Sequence, residues 1–592
     1  MKMNRLFTIL IIISLVFMSI PFNTHADWSD PTKPGWKDGE AKRGWIQSKL
    51  EHMTIEEKVG QVFIVHVYGK TPTDPNYEST NIKMNRGGRN FKEVIEKYHL
   101  GGVIYFNWTD NILSPLDAAQ VNSLSNGIQD IAMDQRMPIP LFVSTDQEGG
   151  IVQRLTSPGT VFPGNMALGA TRSTEYAARS AAILGTELKS VGVNMDFAPV
   201  ADVNMNPGNP VIGVRSFSED PQLVADMTVA QLTAYQDKNV IATAKHFPGH
   251  GDTAVDSHYG LPIINHDLET LHKIDLKPFK AAIESGIDAI MTAHIVVPAL
   301  DNSGLPATLS KPILTDLLRE EMGFNGLIIT DSLGMSGANV VPPERVPVEA
   351  FKAGADILLN PPNVEVAYNG MLEAVTSGEI SEKRLDESVY RILEAKLKRG
   401  LFENPMTDES AITNIGSREH LAAADEIANK SITMVKNENN LLPLKQSEQI
   451  FVTGPSAGKT DLLSSLLNNK RFTSTSYFTS TSPTDAQIDA ALTKAQQADK
   501  VIITTYNANT NKAQQKLVNA LLGSGKPVIV TAIRNPYDLM AFPNVNAYLA
   551  TYGDRDVSVN ALARVLTGEV SPSGKLPVTI PDLFEFGHGL NY

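Results

Sequence analysis

Val240-Ile241-Ala242-Thr243-Ala244-Lys245-His246-Phe247-Pro248-Gly249-His250-Gly251-Asp252-Thr253 is an apolar stretch that turns directly into a polar, Gly/Pro-punctuated loop. After Ala254 and Val255 comes Asp256-Ser257-His258, so three histidines and two aspartates fall within the fourteen residues 245–258. Burying so polar a segment would strand charges and backbone groups. It therefore reads as a strand whose carboxyl end opens into a loop that carries chemistry.

The same strand-then-polar pattern recurs on either side. Strand-like apolar runs are expected at 59–67, 102–106, 141–145, 194–198, 240–244, 289–293, 327–330 and 356–359. Helical stretches are expected between them at 174–189, 222–238 and 276–285, with another opened by the Ser310/Pro312 cap-and-proline signal. Eight β–α repeats over about 350 residues predict a (β/α)8 TIM-like barrel. A doubly wound sheet shares that periodicity and stays open at this point. Asp146, Asp196, Lys245, His246, His294 and Asp331 all stand in or just after these runs. In a barrel those strand ends share one mouth, which brings residues distant in sequence together.

The pattern breaks around 401–413, and a second βα series follows with strands expected at 432–435, 450–454, 501–505 and 528–532. The expected organisation is a secretory signal over 1–26, a Pro/Gly-rich lead-in over 27–44 and a catalytic barrel over 45–400. A linker over 401–430 then leads to a three-layer α/β sandwich domain over 431–592. The signal rests on Lys2 and Arg5, the apolar run 6–20 and the small-x-small site Thr24-His25-Ala26. A permanent N-terminal anchor is the alternative, although 15 apolar residues are short for a span. An exported chain, extracellular or wall-associated and with no stable membrane insertion after cleavage, is the expectation.

The chain has 592 residues, no cysteine and a formal net charge of −14. Lack of cysteine excludes disulfides, thiolate metal ligands and a cysteine nucleophile, and in an exported chain it fits a bacterial wall-space enzyme. Acidity without a basic run argues against a nucleic-acid groove. No obligate protein partner is implied.

Three chemistries compete for the polar residues. Gly454-Pro455-Ser456-Ala457-Gly458-Lys459-Thr460 lacks one residue of phosphate-loop spacing and reads as a strand-to-helix turn. His246, His250, Asp252, Asp256 and His258 have zinc-compatible donors, but on a Gly/Pro loop that matches no zinc spacing. No metal and no cofactor are expected. Proton transfer is the third possibility: Asp256 can orient His258 two residues on, and a free imidazole titrates near pH 6.5. With Asp331 as nucleophile and His258 as acid/base, an acetal would be cleaved through a covalent intermediate. A strand-end Asp331 could equally cap the next helix, and His294 could be a satisfied core histidine. Asp146-Gln147-Glu148-Gly149-Gly150, with Arg154, Arg215 and Lys245, offers acceptors and donors for sugar hydroxyls or an acidic group.

These segments resemble glycoside hydrolase family 3, within it the β-N-acetylglucosaminidases of bacterial cell-wall turnover. The resemblance rests on the 245–258 loop, on Asp146-Gln147-Glu148-Gly149-Gly150 and on Ile329-Thr330-Asp331-Ser332-Leu333-Gly334-Met335. It extends to Gly574-Lys575-Leu576-Pro577-Val578-Thr579 and Phe586-Gly587-His588-Gly589-Leu590. It implies Asp331 as nucleophile and His258 as acid/base held by Asp256, with Asp146, Arg154, Arg215, Lys245, His246 and Met335 binding a terminal N-acetylglucosamine. In other branches the second domain supplies a carboxylate as acid/base; here the Asp-Ser-His loop leaves that domain a structural or substrate-positioning role. The implied reaction is retaining exo-hydrolysis of peptidoglycan fragments, GlcNAc-MurNAc disaccharides and muropeptides, with phosphorolysis or β-glucosidase activity as alternatives. A sugar-binding protein without turnover is the non-enzymatic alternative.

Overall fold

A computed structural model describes residues 39–592; the expected signal lies outside them. Helix Gly39–His52 takes up the last residues of the expected lead-in. The first sheet contains β1 Phe63–Val65, β2 Gly102–Ile104, β3 Phe142–Thr145, β4 Met195–Asp196, β5 Ile241–Phe247, β6 Ala289–Thr292, β7 Leu327–Ile329 and β8 Leu358–Leu359. Every neighbouring pair is parallel, in the order β7-β6-β5-β4-β3-β2-β1-β8. A further parallel bridge between Ile329 and Ile357 joins β7 to the entry of β8 and closes the cylinder. Every residue of these strands is buried, as expected of parallel strands with side chains inside and helices outside.

The expected strand at 59–67 is half helix. Ile55–Gln61 is a capped helix with a Thr54/Glu57 capping box, and only Phe63–Val65 pairs in the sheet. The last residues of that helix, Glu57 to Gln61, are as buried as the strand, so burial does not mark the boundary between them. Elsewhere the expected strands shorten or shift by a few residues at their ends.

The second sheet comprises β9 Thr433–Asn437, β10 Gln449–Pro455, β11 Thr473–Thr479, β12 Lys500–Thr505, β13 Val528–Ala532 and β14 Ala547–Ala550. Its order is β11-β10-β12-β13-β14-β9, parallel except for β9. From β10 the chain steps outward to β11, then returns to β12 and proceeds the other way. The reversal makes a crevice over the carboxyl ends of β10 and β12. Buried clusters lie on the two faces of this sheet, giving the layered α/β sandwich.

Residues 401–430 do not hang free. Helix Arg418–Ser431 packs at the junction, and Glu187 of the barrel accepts from Gly416 N at 2.9 Å and meets His420 Nδ1 at 2.9 Å. Met166, Ala167, Ala170 and Val214 of the barrel belong to the same apolar cluster as Tyr537, Tyr552, Leu576, Val578 and Ile580 of the second domain. Polar ties surround that seam. Arg555 donates to the carbonyls of Gly150 (2.6 Å) and Ile151 (3.0 Å), Ser218 to that of Pro577 (2.6 Å), and Asn204 to the Tyr537 hydroxyl (2.9 Å). Gly150–Ile151 lies two residues beyond Glu148, so the second domain braces a loop of the barrel mouth.

Candidate active site

The barrel mouth holds a cavity of about 340 Å³. Asp146, Arg154, Arg215, Lys245, His246, His258, Asp331 and Met335 all line it, together with Glu148, Trp108 and Asn360. Eight of the nine site residues singled out from sequence therefore share one space. Asp256, the ninth, stands behind His258.

Its floor is a buried ion network. Lys245 Nζ, at the end of β5, lies 3.0 Å from Asp146 Oδ1 and 2.7 Å from Glu148 Oε1. Arg215 forks onto Glu148 through Nε (2.9 Å) and a terminal nitrogen (2.7 Å). Burial alone would push the Glu148 carboxyl up, but the Arg215 and Lys245 charges and their hydrogen bonds outweigh it and hold it well below the usual range. Burial likewise pulls Lys245 down, and the Glu148 and Asp146 charges reverse the shift. Asp146 keeps an approach to the cavity and meets Arg154 at 3.4 Å. Arg154 lies over Phe106, which stacks on Trp108 with centroids 4.7 Å apart, forming an aromatic wall.

In the sequence Glu148 is marked only as part of the Asp146–Gly150 motif. Its role as shared counter-ion was visible only once β3, β5 and the Arg215 turn were brought together. Asp202 was missed altogether. It accepts from the backbone N–H of His246 (3.2 Å) and of His250 (2.7 Å), and its other oxygen meets His246 Nδ1 at 2.7 Å. His246 is thus aimed with Nε2 toward the cavity, 3.3 Å from Arg215. His250 is fully engaged by Thr253 (2.8 Å) and Ser257 (2.9 Å), and burial and the neighbouring His246 lower its pKa to about 4. His266, unremarked in sequence, bridges Asp252 (2.8 Å) and Asp275 (2.7 Å). Among the described residues no group of three His, Asp or Glu is gathered to hold a metal ion. Lys459 of the phosphate-loop lookalike turns to Asp556 at 3.0 Å, within a plain strand-to-helix turn.

Asp331 follows β7 and accepts from the N–H of Ser332 at 2.7 Å. Burial pushes its carboxyl up. The neighbouring His246 and His294 imidazoles, the Ser332 N–H and the Lys245 ammonium outweigh it, leaving its pKa lowered, so it is ionised at neutral pH. His294 is buried beneath it rather than lining the cavity; Nε2 donates to the Ser332 carbonyl (3.0 Å) and Nδ1 meets Thr308 Oγ1 (2.8 Å). Burial lowers its pKa, which suits a neutral support for the Asp331 turn. Asp196 is buried too. Its Oδ1 accepts from Gln147 N at 2.9 Å, and burial raises its pKa well above the usual value, so it supports the mouth from below.

His258 differs from the other histidines of the mouth. Its side chain is 53% exposed, and Asp256 Oδ1 accepts from its backbone N–H (2.9 Å) and meets its Nδ1 (2.7 Å). With Nδ1 engaged, Nε2 is the nitrogen left to exchange a proton with a ligand. The loop that carries it rests on the turn after Asp331, where Gly337 N donates to the Ser257 carbonyl at 3.1 Å.

A parallel (β/α)8 barrel whose mouth sets an ionised carboxylate, a carboxylate-held imidazole and a bed of sugar-type hydrogen-bonding groups around one cavity is the architecture of a glycoside hydrolase. Comparison with known proteins agrees. Residues 54–395 match the glycosyl hydrolase family 3 N-terminal domain and residues 432–592 its C-terminal domain. The chain belongs to glycosyl hydrolase family 3. It is 35% identical to beta-hexosaminidase A of Pseudoalteromonas piscicida over 82% of this chain and 90% of that one. It is 29% identical to the beta-N-acetylglucosaminidase/beta-glucosidase of Cellulomonas fimi, over 90% of this chain and 95% of that one. A solved family 3 beta-N-acetylglucosaminidase from Paenibacillus sp. str. FPU-7 superposes with a TM-score of 0.81 at 36% identity, covering 89% of this chain and 99% of that one.

Proposed function

We propose that this glycoside hydrolase is a retaining exo-β-N-acetylglucosaminidase that removes terminal N-acetylglucosamine from disaccharide and muropeptide fragments of peptidoglycan outside the cytoplasmic membrane. The observation that carries the chemistry is the pairing, around one cavity, of ionised Asp331 with an Asp256-held His258. The sugar preference is supported by the names of the relatives, the cell-wall source by the export-type N-terminus. In the first step Asp331 attacks the anomeric carbon while the glycosidic C–O bond breaks, and protonated His258 gives the Nε2 proton to the departing oxygen. In the second, neutral His258 takes a proton from water as that water attacks the anomeric carbon and releases Asp331. Two inversions retain configuration. Asp256 steadies the imidazolium, and Lys245, Arg154, Asp146 and His246 hold ring hydroxyls in both steps. Met335 and Trp108 give apolar surface to the sugar.

The test is a panel of aryl β-glycosides on purified protein: N-acetylglucosaminide, glucoside and xyloside. Turnover dominated by the N-acetylglucosaminide, with the β-anomer as first product by NMR, is expected. A dominant glucoside or an α-anomer product overturns the reading. Running the panel in phosphate and scoring sugar 1-phosphate against free sugar separates hydrolysis from phosphorolysis, because a deprotonated imidazole does not repel an anionic acceptor as a carboxylate would.

A further inference from the structure

The catalytic mouth has a neighbour. Val211 and Ile212 line it and also line a second cavity of about 270 Å³, so the two spaces share a wall of two residues. That wall is fixed in place: Asn209 Nδ2 donates to the carbonyls of His250 (3.0 Å) and Gly251 (3.1 Å), and Asn206 to that of Thr253 (3.2 Å). The opposite side comes from the second domain, with Asn507, Asn509 and Thr510 after β12 and Arg534 and Asn535 after β13. These are carboxyl ends of parallel strands beside the point where the strand order reverses, the usual ligand face of an open α/β sheet.

The lining contains no aspartate or glutamate and a single cation, Arg534. Its guanidinium lies 5.4 Å from the Tyr506 ring centroid and donates to the Tyr506 hydroxyl at 3.1 Å. That hydroxyl in turn donates to Asp554 at 3.2 Å. Arg534 is therefore oriented through a neutral phenol, with no carboxylate ion-paired to it among the described residues, and its remaining N–H groups are available to a planar anion. A charged, half-buried guanidinium without a counter-ion beside the catalytic mouth calls for an anionic ligand.

We propose that this second cavity is a leaving-group subsite for a carboxylate, read by Arg534 of the second domain across the Val211–Ile212 wall. The inference rests on the glycosidase reading and extends it: barrel residues hold the sugar that is cut off, while the α/β domain selects what it is cut from. Two sources share the chemistry, the lactyl carboxylate of a muramic acid residue and a carboxylate of its attached peptide.

Two substrate pairs distinguish them: GlcNAc-MurNAc against its lactyl methyl ester, and a peptide-bearing GlcNAc-MurNAc against its peptide methyl esters. For one pair the wild-type protein is expected to favour the free carboxylate in kcat/KM by about tenfold to hundredfold, the range of a charge-assisted bidentate contact. Arg534→Met collapses that ratio toward one, and Arg534→Lys leaves an intermediate value. A ratio measured within one protein cancels differences in folded fraction. Absence of a preference in the wild type, or its persistence in Arg534→Met, overturns the subsite. Failure of the wild type to cleave any member overturns the glycosidase reading instead. Calorimetric titration of the leaving group of the discriminating pair, as free acid and as methyl ester, into wild type and Arg534→Met then decides the subsite independently: loss of a carboxylate preference on substitution supports it, and equal binding of acid and ester by the wild type refutes it.

Discussion

The end of β5 and the loop that follows it behave as two different materials. From Lys245 to Thr253 the imidazoles are buried and wired: His246 to Asp202, His250 to Thr253 and Ser257. A few residues later His258 stands half in solvent with Asp256 as its side-chain partner, beside Tyr259, which is 86% exposed. The contrast separates two tasks that the same residue type can perform. Groups that bind must be immobilised before the ligand arrives, since ordering them afterwards would cost binding energy. A group that trades protons with leaving group and then with water gains from an open position and one orienting carboxylate.

Asp331→Ala, at the proposed nucleophile, is expected to lower kcat on an aryl N-acetylglucosaminide by about 10⁴-fold or more with the melting temperature preserved. Added azide should restore turnover and yield the α-glycosyl azide, and normal turnover in the variant would refute the assignment. His258→Ala, at the exposed end, should cost about 10²- to 10⁴-fold on substrates with poor leaving groups and far less on activated aryl glycosides. Equal losses on both would remove proton donation from its role. Glu148→Ala, at the wired end, should act on folding as well as binding. It leaves Lys245 and Arg215 buried without their shared counter-ion, a loss of about 3–5 kcal/mol that denaturant titration would read.

The smallest expected effect tests the outer wiring. His266 has its pKa raised to about 9, chiefly by the hydrogen bond to Asp275, with Asp252 adding to it. A group whose folded pKa lies above its unfolded value stabilises fully below the unfolded value, about 6.5, and loses that contribution as pH rises through the folded one. Melting temperatures should therefore fall between pH 7 and 10 more steeply in the wild type than in His266→Gln. Parallel curves would show that the bridge between Asp252 and Asp275 carries no such linkage.

What could be read in the sequence was whatever announced itself locally. Apolar runs ending in Asp146, Lys245 and Asp331 gave away both the barrel and its mouth, because a parallel strand buried on both faces is a continuous apolar word and its carboxyl end is where polarity resumes. Asp256 and His258 were legible as a pair because two residues of separation suffice for the contact. Glu148 and Asp202 were not, since their partners lie 67 and 44 residues away and meet them only after the cylinder closes. His294 and Asp196 share the same strand-end signature as Asp331, yet they face beneath the mouth; pattern gives position along a strand but not depth. The boundary at Gln61–Phe63 stayed hidden for a related reason, helix and strand being equally buried there.

The seam between barrel and sandwich carries a consequence for anyone cutting the chain. Glu409–Asn414 is a short surface turn of helix without a buried residue, an inviting place for a protease. A nick there should leave both pieces eluting together from a sizing column, because Met166, Ala167, Ala170 and Val214 remain pressed into the partner fragment. Expressed without that partner, the barrel would present the same four side chains to water and stick to its own copies.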